Sequence, residues 1–259
     1  MASSPSRAAV VNTLRLAFSW LTVLPVTGPD SVDRRAAGHA IALAPLVGLV
    51  LGGLATAAVW LSVTAGLTAL LAGLLTVGLL GLLTRGMHLD GLADTVDGLG
   101  SYGPPERARQ VMKSGGAGPF GVAALIFAIA VQAVAFAALA DEGRWFALAL
   151  AVTLGRVAVV PACRRGIAAA PDSGFGTLVA GTQSPVAVWA WPVLAVGAAV
   201  FAVPGNLWLG PGVVLVALAL SALVVRHCVR RFDGLSGDVL GAVVEITVSL
   251  AAVGFSLTG

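Results

Sequence analysis

The chain has 259 residues, of which 58% are hydrophobic and only 10% are charged, and its formal net charge is +3. A soluble domain typically has about a quarter of its residues charged and about half apolar, so this composition excludes a large soluble domain. The mean hydropathy of +0.97 is typical of a polytopic membrane protein. We therefore expect a single integral membrane domain over residues 1–259.

The N-terminal segment, residues 1–40, precedes the first long apolar run. Within it, residues 10–25 are apolar on one side, and Asn12, Arg15 and Ser19 interrupt the pattern. This arrangement predicts an amphipathic helix that lies in the membrane interface. The early Arg15 and the lack of a small-residue cleavage pattern are not typical of a signal peptide.

The remaining apolar runs predict an all-α bundle of about seven transmembrane helices, with six or eight as alternatives. The run at 212–225 is short, so it is expected to tilt, to start earlier or to be partly re-entrant. The predicted spans are 41–63, 66–83, 119–140, 145–163, 187–203, 212–225 and 239–257.

The loop charges predict the orientation of these spans. With the N-terminus inside, 13 of the 15 Lys and Arg residues fall on the cytoplasmic side, as the positive-inside rule requires. This topology places the acidic-motif segment at 84–118 in the cytoplasm. We expect a multi-pass protein of the cell (inner or plasma) membrane whose active site faces the cytoplasm.

An acidic cluster lies between the second and third predicted spans. Asp90, Asp94 and Asp97 are spaced i, i+4 and i+7, so on a helix they share one face. Three carboxylates this close repel one another unless a cation or a proton neutralises them. Hard oxygen ligands favour Mg²⁺, with Mn²⁺ as an alternative. His88 is a candidate metal ligand or general base, and a simple hydrogen bond to one of the aspartates explains it equally well.

A second acidic element opens the last predicted span. Asp238 and Glu245 are seven residues apart, so they share a helix face. An intramembrane carboxylate is costly, which makes Glu245 a candidate metal ligand together with Asp238 and the first cluster. The alternative is a buried ion pair between Glu245 and Arg156, which also lies within a span.

The basic residues near these elements are candidates for binding substrate phosphate, while anchoring to anionic lipid head groups is an equally good explanation for any one of them. The candidates are Arg107, Arg109, Lys113 and Arg156. No basic run is interleaved with aromatic residues, so no nucleic-acid partner is expected. The sequence is compatible with a homo-oligomer but does not specify one.

The order of motifs resembles that of the cobalamin-5′-phosphate synthase family, also called adenosylcobinamide-GDP ribazoletransferases. The resemblance rests on four motifs spread over most of the chain. They are His88–Gly98 in the acidic cluster with Met112-Lys113 after it, Gly118-x-Phe120-Gly121, Gly174-Phe175-Gly176, and the run from Gly237-Asp238 to Glu245. One departure is that Ser114-Gly115-Gly116 stands where the family usually has an acid and often an arginine.

The resemblance implies a Mg²⁺-dependent phosphotransfer reaction, catalysed by a protein that is embedded in membrane lipid. Adenosylcobinamide-GDP would be joined to α-ribazole 5′-phosphate or to α-ribazole, with release of GMP. The acidic residues would hold the metal, and an aspartate or His88 would take the proton of the attacking hydroxyl.

Two other functions fit some of the residues. A CDP-alcohol phosphotransferase also uses clustered aspartates, but its pattern has an arginine where Asp94 stands here. It also has two later aspartates with three residues between them, and no later D-x-x-x-D occurs in this chain. A cation-coupled transporter would place its ionisable groups near the bilayer midplane and often shows repeated halves. Here the acids cluster at one boundary and no internal repeat is visible.

Overall fold

The structure is a computed structural model that describes residues 7–29 and 31–257. These residues form twelve α-helices and no strand, which confirms the all-α prediction. The helices are α1 (Arg7–Leu21), α2 (Arg34–Ala42), α3 (Ala44–Thr64), α4 (Ala69–Leu83), α5 (Met87–Gly100), α6 (Pro105–Met112), α7 (Pro119–Asp141), α8 (Trp145–Ala162), α9 (Gly174–Val179), α10 (Pro185–Ala198), α11 (Leu209–Arg231) and α12 (Gly237–Phe255).

Five of these helices are long and apolar enough to cross a membrane, namely α3, α7, α8, α11 and α12. The pair α4 and α5 would make a sixth span if counted together, but the two helices are bent by 93° from one another. Helix α10 and the short 3₁₀ turn after it are apolar but shorter than a typical span. A multi-pass membrane bundle is therefore confirmed, whereas the count of seven spans and the interfacial position of α1 stay predictions.

Helix α8 lies at the centre of the bundle and packs against α3, α10 and α12. Its contact with α3 depends on small residues, because a Cβ atom added at Gly48 would lie 3.0 Å from the Thr153 carbonyl oxygen. A Cβ atom at Gly52 would collide with the Ala149 carbonyl oxygen. Small residues let helix backbones approach closely inside a membrane, as they do here.

The bend between α4 and α5 has a local cause in the turn at Arg85 and Gly86. Both residues have left-handed backbones, with φ of 56° and 69°. The amide of Gly86 donates to the Gly81 carbonyl, and the amide of Arg85 donates to the Leu82 carbonyl, which is the Schellman pattern that ends a helix. The Arg85 guanidinium donates to the carbonyls of Ser19 and Thr22 and so fixes the turn against the end of α1. This turn sets the direction of α5.

Candidate active site

The two acidic elements come together because α5 crosses α12 at glycines. A Cβ atom added at Gly91 would lie 2.7 Å from the carbonyl oxygen of Asp238. A Cβ atom added at Gly241 would lie 3.1 Å from the Cα atom of His88. Each glycine thus removes a side chain that would push the helices apart, and this close approach brings Asp90 and Asp238 to one cavity.

This main cavity has a volume of about 530 Å³ and is bounded by α1, α2, α5, α9 and α12, the α4–α5 turn and one residue of α8. Its polar lining consists of Ser19, Arg85, His88, Asp90 and Asp238. Two aromatic residues, Trp20 and Phe175, also line it, and their ring centroids lie 5.3 Å apart. A cavity with aromatic walls and a few charged groups is typical of a small-molecule site.

The carboxylates around this cavity repel one another. The pKa of Asp94 is raised to about 6, first by partial burial and then by the negative charges of Asp90, Asp238 and Asp97. The side chain of Asp90 is exposed and that of Asp94 is half-buried. Such an excess of negative charge favours the binding of a cation.

The described part of the chain contains no group of three His, Cys, Asp or Glu side chains placed to hold a metal ion. Magnesium usually keeps several waters and binds one or two carboxylates together with substrate phosphates. Asp90 and Asp238, which share the main cavity, fit that kind of site. They do not form an all-protein cage.

Asp97 has a different environment from Asp90, although the two share a helix. Its buried carboxylate accepts hydrogen bonds from the amides of Gly118, at 2.6 Å, and Gly121, at 2.9 Å. Gly118 is the N-cap residue of α7. The carboxylate therefore satisfies free amides at the start of α7, where the helix dipole favours negative charge. It is not among the residues that line the main cavity.

His88 is buried and accepts a hydrogen bond from an arginine. The Nη2 atom of Arg156 lies 3.2 Å from Nδ1 of His88. A guanidinium only donates hydrogen bonds, so Nδ1 must be the acceptor and the proton of the neutral imidazole is on Nε2. His88 also lines the main cavity. In this tautomer the ring acts as a hydrogen-bond donor at Nε2.

Glu245 lies in a separate, small cavity further along α12. This cavity is lined by Gln132, Arg156 and Glu245 among other residues. The Oε2 atom of Glu245 accepts a hydrogen bond of 2.7 Å from the amide of Gln132. No ion pair within 4.0 Å joins Glu245 to Arg156 in the described residues, and the buried Nε atom of Arg156 has no hydrogen-bond partner. The structure thus brings Asp238, but not Glu245, to the cavity that Asp90 lines.

The candidate phosphate-binding residues are also separated. Arg109 is engaged in ion pairs with Asp233, at 3.0 Å, and with Glu106, at 3.5 Å. Arg107 is exposed on α6 and does not line the main cavity. Lys113, the C-cap residue of α6, donates a hydrogen bond to the Asp172 carbonyl and shares a smaller cavity with Asp238. Of the three candidates in this segment, Lys113 is therefore the one that lies beside the acidic site.

Comparison with known proteins gives the family. Residues 13–256 match the family model described as Cobalamin-5-phosphate synthase. The chain belongs to this family. It is 42% identical to the adenosylcobinamide-GDP ribazoletransferase of a Nocardioides species over 235 residues, covering 91% of this chain and 94% of the relative. It is 36% identical to that of Corynebacterium efficiens over 250 residues, covering 95% and 91%. No solved structure matches the chain.

Membership of the synthase family confirms the resemblance that the four motifs indicated and favours it over the two other functions. The motif glycines now have structural roles, because Gly91 and Gly241 form the helix crossing while Gly118 and Gly121 receive Asp97. The Gly174-Phe175-Gly176 motif starts α9 and places Phe175 in the main cavity.

Sequence reasoning missed Arg85, Trp20 and Phe175 as lining residues of the main cavity. Arg85 carried a usable signal, because Arg85-Gly86 directly precedes the acidic helix at a point where an apolar run ends. Trp20 carried none, since it is one of six tryptophans in an apolar chain.

Proposed function

We propose that this chain is an adenosylcobinamide-GDP ribazoletransferase that acts late in cobalamin biosynthesis. It would transfer the adenosylcobinamide phosphate group of adenosylcobinamide-GDP to α-ribazole 5′-phosphate or α-ribazole, releasing GMP. The observation that carries this proposal is the cavity in which Asp90 and Asp238 meet, in a chain of the synthase family whose curated relatives bear that enzyme's name.

The reaction breaks the phosphoanhydride bond between the cobinamide phosphate and GMP and forms a phosphoester bond to α-ribazole. A ribose hydroxyl oxygen of α-ribazole attacks the phosphorus attached to cobinamide, and the bond from that phosphorus to the oxygen of GMP breaks. GMP leaves with the bonding electrons, and the proton of the hydroxyl passes to a base. The protein must therefore accept one proton and offset negative charge on the phosphates.

A divalent cation, Mg²⁺ or Mn²⁺, would neutralise and orient the pyrophosphate oxygens. Asp90 and Asp238 are the residues that would hold it, since both line the main cavity and belong to different elements. Arg85 adds a positive group on the same cavity wall, where it can contact a phosphate oxygen.

We assign the role of base, which accepts the proton of the attacking hydroxyl, to a carboxylate and not to His88. Because Arg156 occupies Nδ1 of His88, the imidazole already carries its proton on Nε2 and has no free lone pair to accept another. His88 would instead donate a hydrogen bond to the substrate. Because Asp90 and Asp238 would hold the cation, Asp94, which interacts electrostatically with both of them, is the carboxylate left to accept the proton.

The assay uses purified protein in lipid with adenosylcobinamide-GDP, α-ribazole 5′-phosphate and MgCl₂, and GMP release is measured by chromatography. We expect GMP to form only when both substrates and the divalent cation are present. EDTA should abolish the reaction, and MnCl₂ should restore part of it. GMP release that does not require α-ribazole 5′-phosphate would indicate a hydrolase, and no release would contradict the proposal.

We also propose that the main cavity opens to the cytoplasm at the inner (plasma) membrane. The support is the basic character of the loops around it and the absence of any charged residue in the loop 204–208. Single cysteines replacing the exposed Tyr102 and Leu207 would be labelled with an impermeant thiol reagent in intact cells, after replacement of Cys163 and Cys228. Only the cysteine at position 207 should react. Reaction at position 102 would show that the orientation is the reverse of the one proposed.

A further inference from the structure

A second large cavity also borders α2 but shares no lining residue with the active site. Ile41 of α2 lines the main cavity, whereas Gly38, His39 and Ala42 line this second one. Its volume is about 530 Å³, and the catalytic proposal does not use it. We call it the basic cavity. The remaining lining residues are Arg34, Arg35, Arg165, Thr182, Gln183, Ser184 and Ala187.

The lining of the basic cavity carries three arginines and no acidic side chain. The guanidinium of Arg34 donates to the carbonyls of Thr177 and Ala180, so it is held in place by α9. Arg35 and Arg165 are exposed, and neither has an ion-pair partner within the described ranges 7–29 and 31–257. The cavity thus presents two positive groups that no acidic side chain of the described residues neutralises.

The start of a helix adds to this positive character. The 14-residue helix α10 begins at the cavity, where Ser184 caps it by accepting from the Ala187 amide. The positive end of the helix dipole therefore faces the same space. The floor is fixed by the buried Gln183, whose amide donates to the Gly38 carbonyl and joins α2 to the loop before α10.

An exposed apolar surface runs away from the cavity along α10. Val186, Trp189 and Val193 are 77%, 69% and 65% exposed, and their spacing puts them on one helix face. In a membrane protein such a face contacts lipid chains. The cavity therefore combines an anion-binding pocket with an adjoining lipid-facing surface, as basic pockets between helices do when they bind lipid head groups.

We propose that the basic cavity binds the phosphate of an anionic phospholipid, with the acyl chains lying along the exposed face of α10. A soluble phosphate compound would use the same arginines but would gain nothing from the apolar surface beside them. Because the two cavities share no lining residue, this lipid would be distinct from the substrates of the transferase.

The experiment measures lipid binding by native mass spectrometry and by thermal unfolding in an uncharged detergent. Phosphatidylglycerol, phosphatidylcholine, inorganic phosphate and α-ribazole 5′-phosphate are titrated separately into wild type, the double variant Arg35→Gln/Arg165→Gln, and a control. The control Arg226→Gln/Arg230→Gln removes two exposed arginines of α11 that do not line the cavity.

Phosphatidylglycerol should bind wild type and raise its melting temperature, and phosphatidylcholine should do so far less. The double variant should bind phosphatidylglycerol on the order of tenfold more weakly, or worse, while the control changes less than about twofold. If the double variant melts much lower without lipid, Arg165→Gln alone should still show about fivefold weakening. Equal losses in variant and control, or unchanged binding in the variant, would overturn the proposal. A soluble phosphate compound could instead stabilise wild type when phosphatidylglycerol does not. If the double variant lost that stabilisation, the cavity would be a site for the soluble phosphate and not for a lipid.

Discussion

Replacing Asp97 and Asp90 by asparagine separately should give opposite results, although both are aspartates of one motif on one helix. The carboxylate of Asp97 uses one oxygen for the Gly118 amide and the other for the Gly121 amide. Asparagine offers only one acceptor, and its NH₂ group would face the second amide donor. Asp90 has no such partner in the described structure.

The expected cost of Asp97→Asn follows from these contacts. Losing one hydrogen bond to a charged group costs about 1.5–3 kcal/mol, and losing the charge at the start of α7 costs about 0.3–1 kcal/mol. We expect the free energy of unfolding to fall by about 2–4 kcal/mol. Asp90→Asn should leave it unchanged or slightly higher, because it relieves repulsion with the neighbouring carboxylates, and should lower turnover by about 10²-fold.

Thermal unfolding in detergent and GMP release measured in the cold separate these effects. Asp97→Asn should melt early yet retain, per folded molecule, turnover within about tenfold of wild type, because its carboxylate supports α7 and does not touch substrate. If Asp97→Asn melted like wild type but lost about 10²-fold in turnover, Asp97 would be a metal ligand, as its spacing predicted, and would not have a structural role at α7.

Three further substitutions test the surroundings of the site. The pKa of Asp94 is raised from 3.8 to about 6, so the folded state holds this proton more tightly than the unfolded state. The stability of the metal-free protein should therefore fall as the pH rises from 3.8 to about 6. Asp94→Asn should remove the part of this pH dependence that Asp94 contributes and, after allowance for solvent screening, add about 1 kcal/mol to the free energy of unfolding at pH 7, checked by melting curves in EDTA. Gly91→Ala places a Cβ atom 2.7 Å from the carbonyl oxygen of Asp238, so it should cost about 1–3 kcal/mol and most of the turnover. Gly53→Ala, which has nothing within 4 Å, should do neither. Glu245→Gln keeps an oxygen acceptor and lies away from the main cavity, so turnover should stay within about threefold of wild type. A loss of about 10²-fold would place Glu245 in the site.

The all-α membrane fold, and the proximity of the acidic elements that contain Asp90 and Asp238, could be predicted from the sequence for physical reasons. Runs of about 20 apolar residues have few alternatives to membrane helices, and the Asp90 and Asp238 motifs both adjoin predicted inner ends of spans. The small residues Gly91 and Gly241 were visible in the motifs, but which helices they would join was not.

The different uses of Asp90, Asp97 and Glu245 could not be predicted in the same way. Helical spacing places side chains on a face but does not say which neighbour that face meets at each turn. At Asp97 the neighbour is the start of α7, and at Asp90 it is a cavity. Hydropathy likewise did not reveal the 93° bend before α5, since the bend depends on two left-handed residues, Arg85 and Gly86.

The most direct test of the central claim is GMP release by wild type and Asp238→Asn, measured side by side with both substrates and saturating MgCl₂. The α5–α12 crossing brings Asp238 to the cavity that Asp90 lines, so the effect of replacing Asp238 reports on that cavity. We predict that Asp238→Asn folds normally and releases GMP about 10²-fold more slowly. A rate equal to that of wild type would contradict the assignment of this cavity as the active site.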